Sequence, residues 1–165
     1  MARKQKNKSN DKFFTRGTII GIAIIAVGVS AGIYFGLGSM VPVNGTTPVL
    51  QAPTHIYIEA LHTADQGYFY DQQSTRQGKK SLSGVNSDPS IHVTQGELVS
   101  LHFINEDKET LSPEDLNIDA FNVHTKQLKY FEAQTINFLA DKTGTFTYYS
   151  TIHPEMKGTI TVDAS

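Results

Sequence analysis

Cysteine is absent from all 165 residues, and its absence excludes a good deal. No disulfide can staple the fold, and no metal centre built on a thiolate, blue-copper and dinuclear copper centres included, can form. Positive charge is scarce over most of the chain. Six of the fourteen Lys and Arg residues (Arg3, Lys4, Lys6, Lys8, Lys12, Arg16) lie in residues 1–16 beside one acid, Asp11, so eight basic and fifteen acidic residues remain in the rest. The overall balance of −2 therefore hides a basic tip and an acidic body. Phosphate binding needs a basic surface, so nucleic acid is excluded as the main partner. After Leu37 no stretch shows helical periodicity, which excludes an α-helical bundle.

One long apolar run is present. Thr18 to Leu37 reads T-I-I-G-I-A-I-I-A-V-G-V-S-A-G-I-Y-F-G-L without a charge, and as a helix it would be about 30 Å long, the thickness of a bilayer core. A signal-peptide core is shorter, and no A-x-A cleavage signal follows. The expectation is an uncleaved transmembrane helix over residues 18–38. The basic tip, residues 1–17, stays in the cytoplasm by the positive-inside rule, which places the C-terminal domain outside the cell membrane. Gly28, Gly32 and Gly36 repeat at helical spacing, a small-residue face that would let another membrane helix approach closely. Residues 39–53 hold Pro42, Pro48 and Pro53 and read as an extended stalk. Within it Asn44-Gly45-Thr46 fits both a glycosylation acceptor and a plain turn.

Residues 54–165 read as short strands. His55 to Leu61 alternates Ile56, Ile58 and Ala60 against Tyr57 and Glu59, the period of a half-buried strand. Residues 62–90 form a long polar excursion, a loop in which Gly67-Tyr68-Phe69-Tyr70 returns one aromatic to the core. Beyond it come a short strand from Ile91, a turn at Gln95-Gly96, and a strand with Val99, Leu101 and Phe103 on one face and Ser100 and His102 on the other. Further strands are expected over Leu116 to Val123, Thr135 to Ala140, Gly144 to Ser150 and Gly158 to Val162. This pattern predicts an all-β fold, a Greek-key β-sandwich, large enough to bury a core without disulfides.

Three segments carry a specific likeness: I-x-V-x-x-G-E-x-V-x-L-x-F-x-N from Ile91 to Asn105, D-K-T-G-T-F-T-Y-Y from Asp141 to Tyr149, and H-P-E-M-K-G-T-I-T-V from His153 to Val162. Together they resemble the cupredoxin superfamily of plastocyanin and amicyanin type, including its membrane-anchored archaeal members. The resemblance implies a Cys-x2-His-x2-Met copper loop, and on that spacing Ser150 occupies the cysteine position, His153 the histidine and Met156 the methionine. Ser150 falls on the inward face shared with Phe146 and Tyr148. The remaining histidine position maps to Glu114, within one or two residues. The chain is also similar to subunit II of haem-copper oxidases, where Thr145 and Tyr149 fall on the two cysteine positions and His153 and Met156 again fit. Quinol oxidases keep that fold without its copper.

Two functions follow as expectations. One is a membrane-anchored accessory subunit of a membrane redox complex, associated with another membrane protein and without a type 1 copper. The other is a copper-handling or electron-transfer protein that holds copper weakly through His153 and Met156, with Glu114 or Asp115 joining. Against the second stands a plain structural role, His153 capping the sandwich and Met156 filling its core. His55, His62, His92, His102 and His124 show no metal spacing and read as solvent-side residues. An enzyme is not expected, since Ser150, His153 and Glu155 crowd one tight loop and no nucleophile elbow is present.

Overall fold

The computed structural model describes residues 40–73 and 88–165. The basic tip and the expected span 18–38 lie outside them, and among the described residues no helix is long and apolar enough to cross a membrane. Nine strands follow in order: β1 (Thr54–Thr63), β2 (Gly67–Gln73), β3 (Ser90–Thr94), β4 (Leu98–Asn105), β5 (Asn117–Ile118), β6 (Val123–His124), β7 (Ala133–Leu139), β8 (Gly144–Tyr149) and β9 (Lys157–Asp163). They make a four-stranded sheet, β2-β1-β4-β7, and a five-stranded sheet, β3-β9-β8-β5-β6. The pairs β1–β4 and β3–β9 are parallel and the other pairs are antiparallel.

The period-two pattern explains the sandwich. Ile56, Ile58 and Ala60 of β1, Val99, Leu101 and Phe103 of β4, and Ile136 and Phe138 of β7 meet Tyr148 of β8 and Ile160 and Val162 of β9 in one buried cluster. Tyr148 is fully buried and donates from its hydroxyl to the Pro89 carbonyl at 2.6 Å. Its ring lies across Gly158 of the neighbouring strand, where an added Cβ would come within 2.2 Å of the ring. Only glycine leaves room for the tyrosine there.

Two expectations need correcting. The stretch 62–90 is not one loop, because Gly67–Gln73 forms β2, antiparallel to β1. Tyr70 is its buried aromatic, as expected, but Phe69, Asp71 and Gln73 of the opposite face are covered as well. Leu116 to Val123 is not one strand either. After Asn117–Ile118 a 3-10 turn over Asp119–Phe121 intervenes, ended by Asn122 at φ 53°, so that Phe121 reaches the core and β6 can fold back on β5. Asparagine tolerates that left-handed conformation better than most residues.

The proline-containing segment before β1 is tied to the domain. Val43 N–H donates to the Asn137 carbonyl at 2.7 Å. The Asn44 amide brackets Leu139 of β7, donating to its carbonyl at 2.8 Å and accepting from its N–H at 2.9 Å.

Candidate functional site

The loop from Ser150 to Met156 joins β8 to β9 at the end of the sandwich where β4 stops. It is closed by two backbone bonds, Met156 N–H to the His153 carbonyl at 2.9 Å and Ser150 N–H to the Met156 carbonyl at 3.1 Å. The Ser150 side chain is buried and fully employed. Its Oγ accepts the N–H groups of Ile152 and His153, each at 3.1 Å, and donates to Asp115 Oδ1 at 2.9 Å. A hydroxyl has one proton to give and two lone pairs to fill, so nothing is left over. Asp115 also accepts the Thr151 N–H at 2.7 Å and the Thr151 hydroxyl. The loop is thus pinned from Asp115 by uncharged donors.

Glu114 sits next to that anchor and points elsewhere. Its backbone forms a two-bond bridge with Leu128, at 2.9 and 2.7 Å. Asn105 steadies both flanks, donating to the Ser112 and Leu128 carbonyls at 2.7 and 2.8 Å. The Glu114 side chain has no exposed surface. Its Oε1 lies 3.4 Å from His153 Nε2, yet neither carboxyl oxygen has a hydrogen-bond partner. Burial first, then the charges of Asp107, Asp115 and Glu155, push its pKa up to about 8, so the group is mostly neutral at pH 7.

His153 bridges this buried acid to the surface. Its Nε2 is 2.9 Å from the Ser112 hydroxyl, its Nδ1 is 3.7 Å from Glu155 Oε1, and its ring stacks on Tyr68 with centroids 3.5 Å apart and planes at 13°. Met156 is fully buried in the core cluster. The sequence positions Ser150, His153, Met156 and Glu114 therefore do gather at one loop. What links them is hydrogen bonding and packing.

The donor set does not fit a thiolate-type copper ion. Ser150 supplies a hydroxyl whose bonding capacity is spent, Asp115 is committed to the loop, and Glu114 is held mostly in its neutral form. Among the described residues no group of three or more His, Cys, Asp or Glu could hold a metal ion. Ring nitrogen, thioether and a neutral carboxyl are what remain.

Residues 80–162 match the sequence model of the cupredoxin-like domain. The chain belongs to the cupredoxin-like family. Among solved structures this cupredoxin is similar to the copper nitrite reductase of Nitrosomonas europaea, at 20% identity over 69% of this chain and 42% of that one, with a TM-score of 0.47. It therefore spans less than half the length of that reductase. Auracyanin of Roseiflexus castenholzii matches at 19% identity over 68% of this chain and 98% of that one, TM-score 0.47. A variant of amicyanin matches at 18% identity over 69% and 87%, TM-score 0.40. No curated protein sequence matches the chain.

The sequence left the register between Glu114 and its neighbours open. In this cupredoxin Glu114 faces His153, whereas Asp115 turns to Ser150 and Thr151. Ser112 and Tyr68 were not foreseen at the site. Both lie in turns or strand ends whose approach to His153 depends on long-range packing, and no local spacing announces it. The stack of His55, Tyr57 and His102 on the outer face of the four-stranded sheet was not foreseen either.

Proposed function

We propose that this cupredoxin is a membrane-anchored, outward-facing accessory subunit of a membrane redox complex, and that it contributes fold and docking surface without carrying electrons through a type 1 copper. One observation carries the reading: the hydroxyl of Ser150, the residue that the resemblance sets at the thiolate position, is fully consumed in holding the loop to Asp115. A loop kept in shape by a hydrogen-bond network without a strong ligand suits a scaffold. The charge-free run from Thr18 to Leu37 and its basic flank support the anchor. No catalytic role is proposed, and the Ser150 hydroxyl is bonded to Asp115 with no bond to the imidazole that a hydrolase would need.

The test is recovery from native membranes. After an alkaline carbonate wash the full chain should remain with the membrane and, once solubilised, co-purify with redox subunits. A chain found in the wash, or recovered alone under gentle detergent, sinks the proposal.

A second reading has its own observation. The two unpartnered oxygens of buried Glu114 lie beside His153, and a copper ion held by His153, Met156 and Glu114 would give them a partner. It would supply a weak, exchangeable copper site for delivery. Copper affinity that falls in both His153→Ala and Met156→Leu would favour it, and affinity unchanged in both would eliminate it.

A further inference from the structure

The segment before β1 meets the edge of the four-stranded sheet through one asparagine. β7 is the last strand of that sheet, and the backbone groups it turns away from β4 need partners. Val43 supplies the first, donating its N–H to the Asn137 carbonyl. The Asn44 side chain then continues the row as a strand would, with Nδ2 donating to the Leu139 carbonyl at 2.8 Å and Oδ1 accepting the Leu139 N–H at 2.9 Å. Nδ2 also lies 3.4 Å from Asp141 Oδ1. The next residue is the exposed Gly45, whose N–H donates to the Pro42 carbonyl at 3.0 Å and closes a turn around Asn44.

We propose that Asn44 is a modification site, a clasp on β7 that hydrolysis of its side-chain amide unfastens. It stands independently of the proposed scaffold role. Asn-Gly is the pair in which this reaction is least hindered, because glycine places no side chain beside the attacking nitrogen. The Gly45 nitrogen bonds to the side-chain carbonyl carbon of Asn44, the bond from that carbon to Nδ2 breaks, and Nδ2 leaves as ammonia with the proton that Gly45 gave up. Water then opens the five-membered imide at one carbonyl or the other, leaving aspartate or its β-linked isomer. Water is the one co-reactant, and nothing is oxidised or reduced.

The product inverts the clasp. Where Nδ2 donated, a carboxylate oxygen would face the Leu139 carbonyl and the Asp141 carboxylate, so two attractive contacts become repulsive. The closed form resists the reaction. Leu139 holds both amide atoms of Asn44, and a Gly45 N–H engaged with Pro42 is harder to deprotonate. Opening and hydrolysis therefore act in one direction: the segment must leave β7 before the amide is lost, and it cannot fasten as before once the amide is gone. What it uncovers is the sheet edge at Asn137 and Leu139.

The experiment is incubation of the full-length chain in detergent at mildly alkaline pH, read by mass spectrometry of the fragment holding Asn44 and by protease cleavage within residues 39–53. Asn44 should hydrolyse on the order of tenfold more slowly than in a synthetic peptide of residues 40–49, since two hydrogen bonds must open first. Cleavage should quicken as product accumulates. Asn44→Asp should quicken it without incubation and without changing the melting temperature. It should do so more than Asn44→Ala, which removes the bonds but adds no charge, and Asp141→Asn should narrow that gap. Hydrolysis as fast as in the peptide would overturn the proposal, as would cleavage in Asn44→Asp no faster than in the parent or no faster than in Asn44→Ala.

Discussion

The two places where histidine is clustered differ in what surrounds the ring. At the loop, His153 is mostly buried, stacked on Tyr68, and set between the carboxyl groups of Glu114 and Glu155. On the sheet face, His55 and His102 meet each other and Tyr57, with hydroxyls as neighbours. The loop, in which Ser150, His153 and Met156 resemble a copper loop in their spacing, is held by hydrogen-bonded side chains. The sheet face shows no such spacing in the sequence, yet the register of β1 and β4 brings two histidine rings into a hydrogen bond. The comparison also predicts that the loop end carries stability and the sheet face does not.

The largest effect should come from breaking the frame that holds the loop. Gly158→Ala places a methyl 2.2 Å from the Tyr148 ring, which is fixed by its bond to the Pro89 carbonyl. Overpacking of that severity should cost about 3 kcal/mol, measured by urea unfolding. A variant as stable as the parent would show that β8 and β9 are held less rigidly than Tyr148 implies.

Asp115→Ala should follow. It removes the acceptor for the Ser150 hydroxyl and for both donors of the exposed Thr151, and leaving the buried Ser150 donor unmet should cost about 1–3 kcal/mol. Asp115→Asn keeps one acceptor oxygen and should cost less. If Ser150→Ala alone cost as much as Asp115→Ala, the anchor would be the serine, and the comparison would have to be redrawn around it.

How much of this was legible beforehand depended on how local each signal was. The strands around Ile58, Leu101 and Tyr148 were readable because alternation is a property of neighbouring residues. β2 was hidden because Asp71, Gln72 and Gln73 look like loop chemistry, although Asp71 and Gln73 are buried together with Phe69 and Tyr70. The break at Asp119–Phe121 was hidden for the opposite reason, since Leu116, Ile118 and Val123 read as strand, and left-handed Asn122 was the one cue. Ser150, His153 and Met156 were singled out by the family resemblance, and all three lie between β8 and β9. The division of labour between Glu114 and Asp115 and the meeting of His55 with His102 follow from register between distant strands, which one sequence does not carry.

A subtler separation should appear with pH. Glu114 has its pKa raised from 4.5 to about 8, chiefly by burial, so between those values the unfolded chain is ionised while the folded chain keeps the proton. The folded state then binds more protons, and stability must fall as pH rises through that window and level off above it. Glu59, also raised to about 8 by burial and then by Glu106 and Asp71, adds to the same decline. Glu114→Gln should remove part of the slope and Glu59→Gln another part. Unfolding measured at pH 5, 6, 7 and 8 would reveal them, and an unchanged slope in both variants would contradict the burial of these acids.

The smallest effect should be that of His55→Ala, and it is the one that tests the comparison most directly against His153→Ala. Each substitution deletes an imidazole with an aromatic neighbour and a hydrogen-bonding partner. His153 leaves a hole beneath Tyr68 and takes a neighbour from a carboxyl group with no exposed surface, so its loss should cost about 1–2 kcal/mol. His55 is exposed at the start of β1, where water can replace the bond to His102, and its loss should fall within about 0.5 kcal/mol of zero. Removing His55 should therefore leave the fold intact, whereas removing His153 should loosen the loop. If the two variants lost equal stability, the sheet-face histidines would belong to the framework, and their pairing would be packing, as it is at the loop.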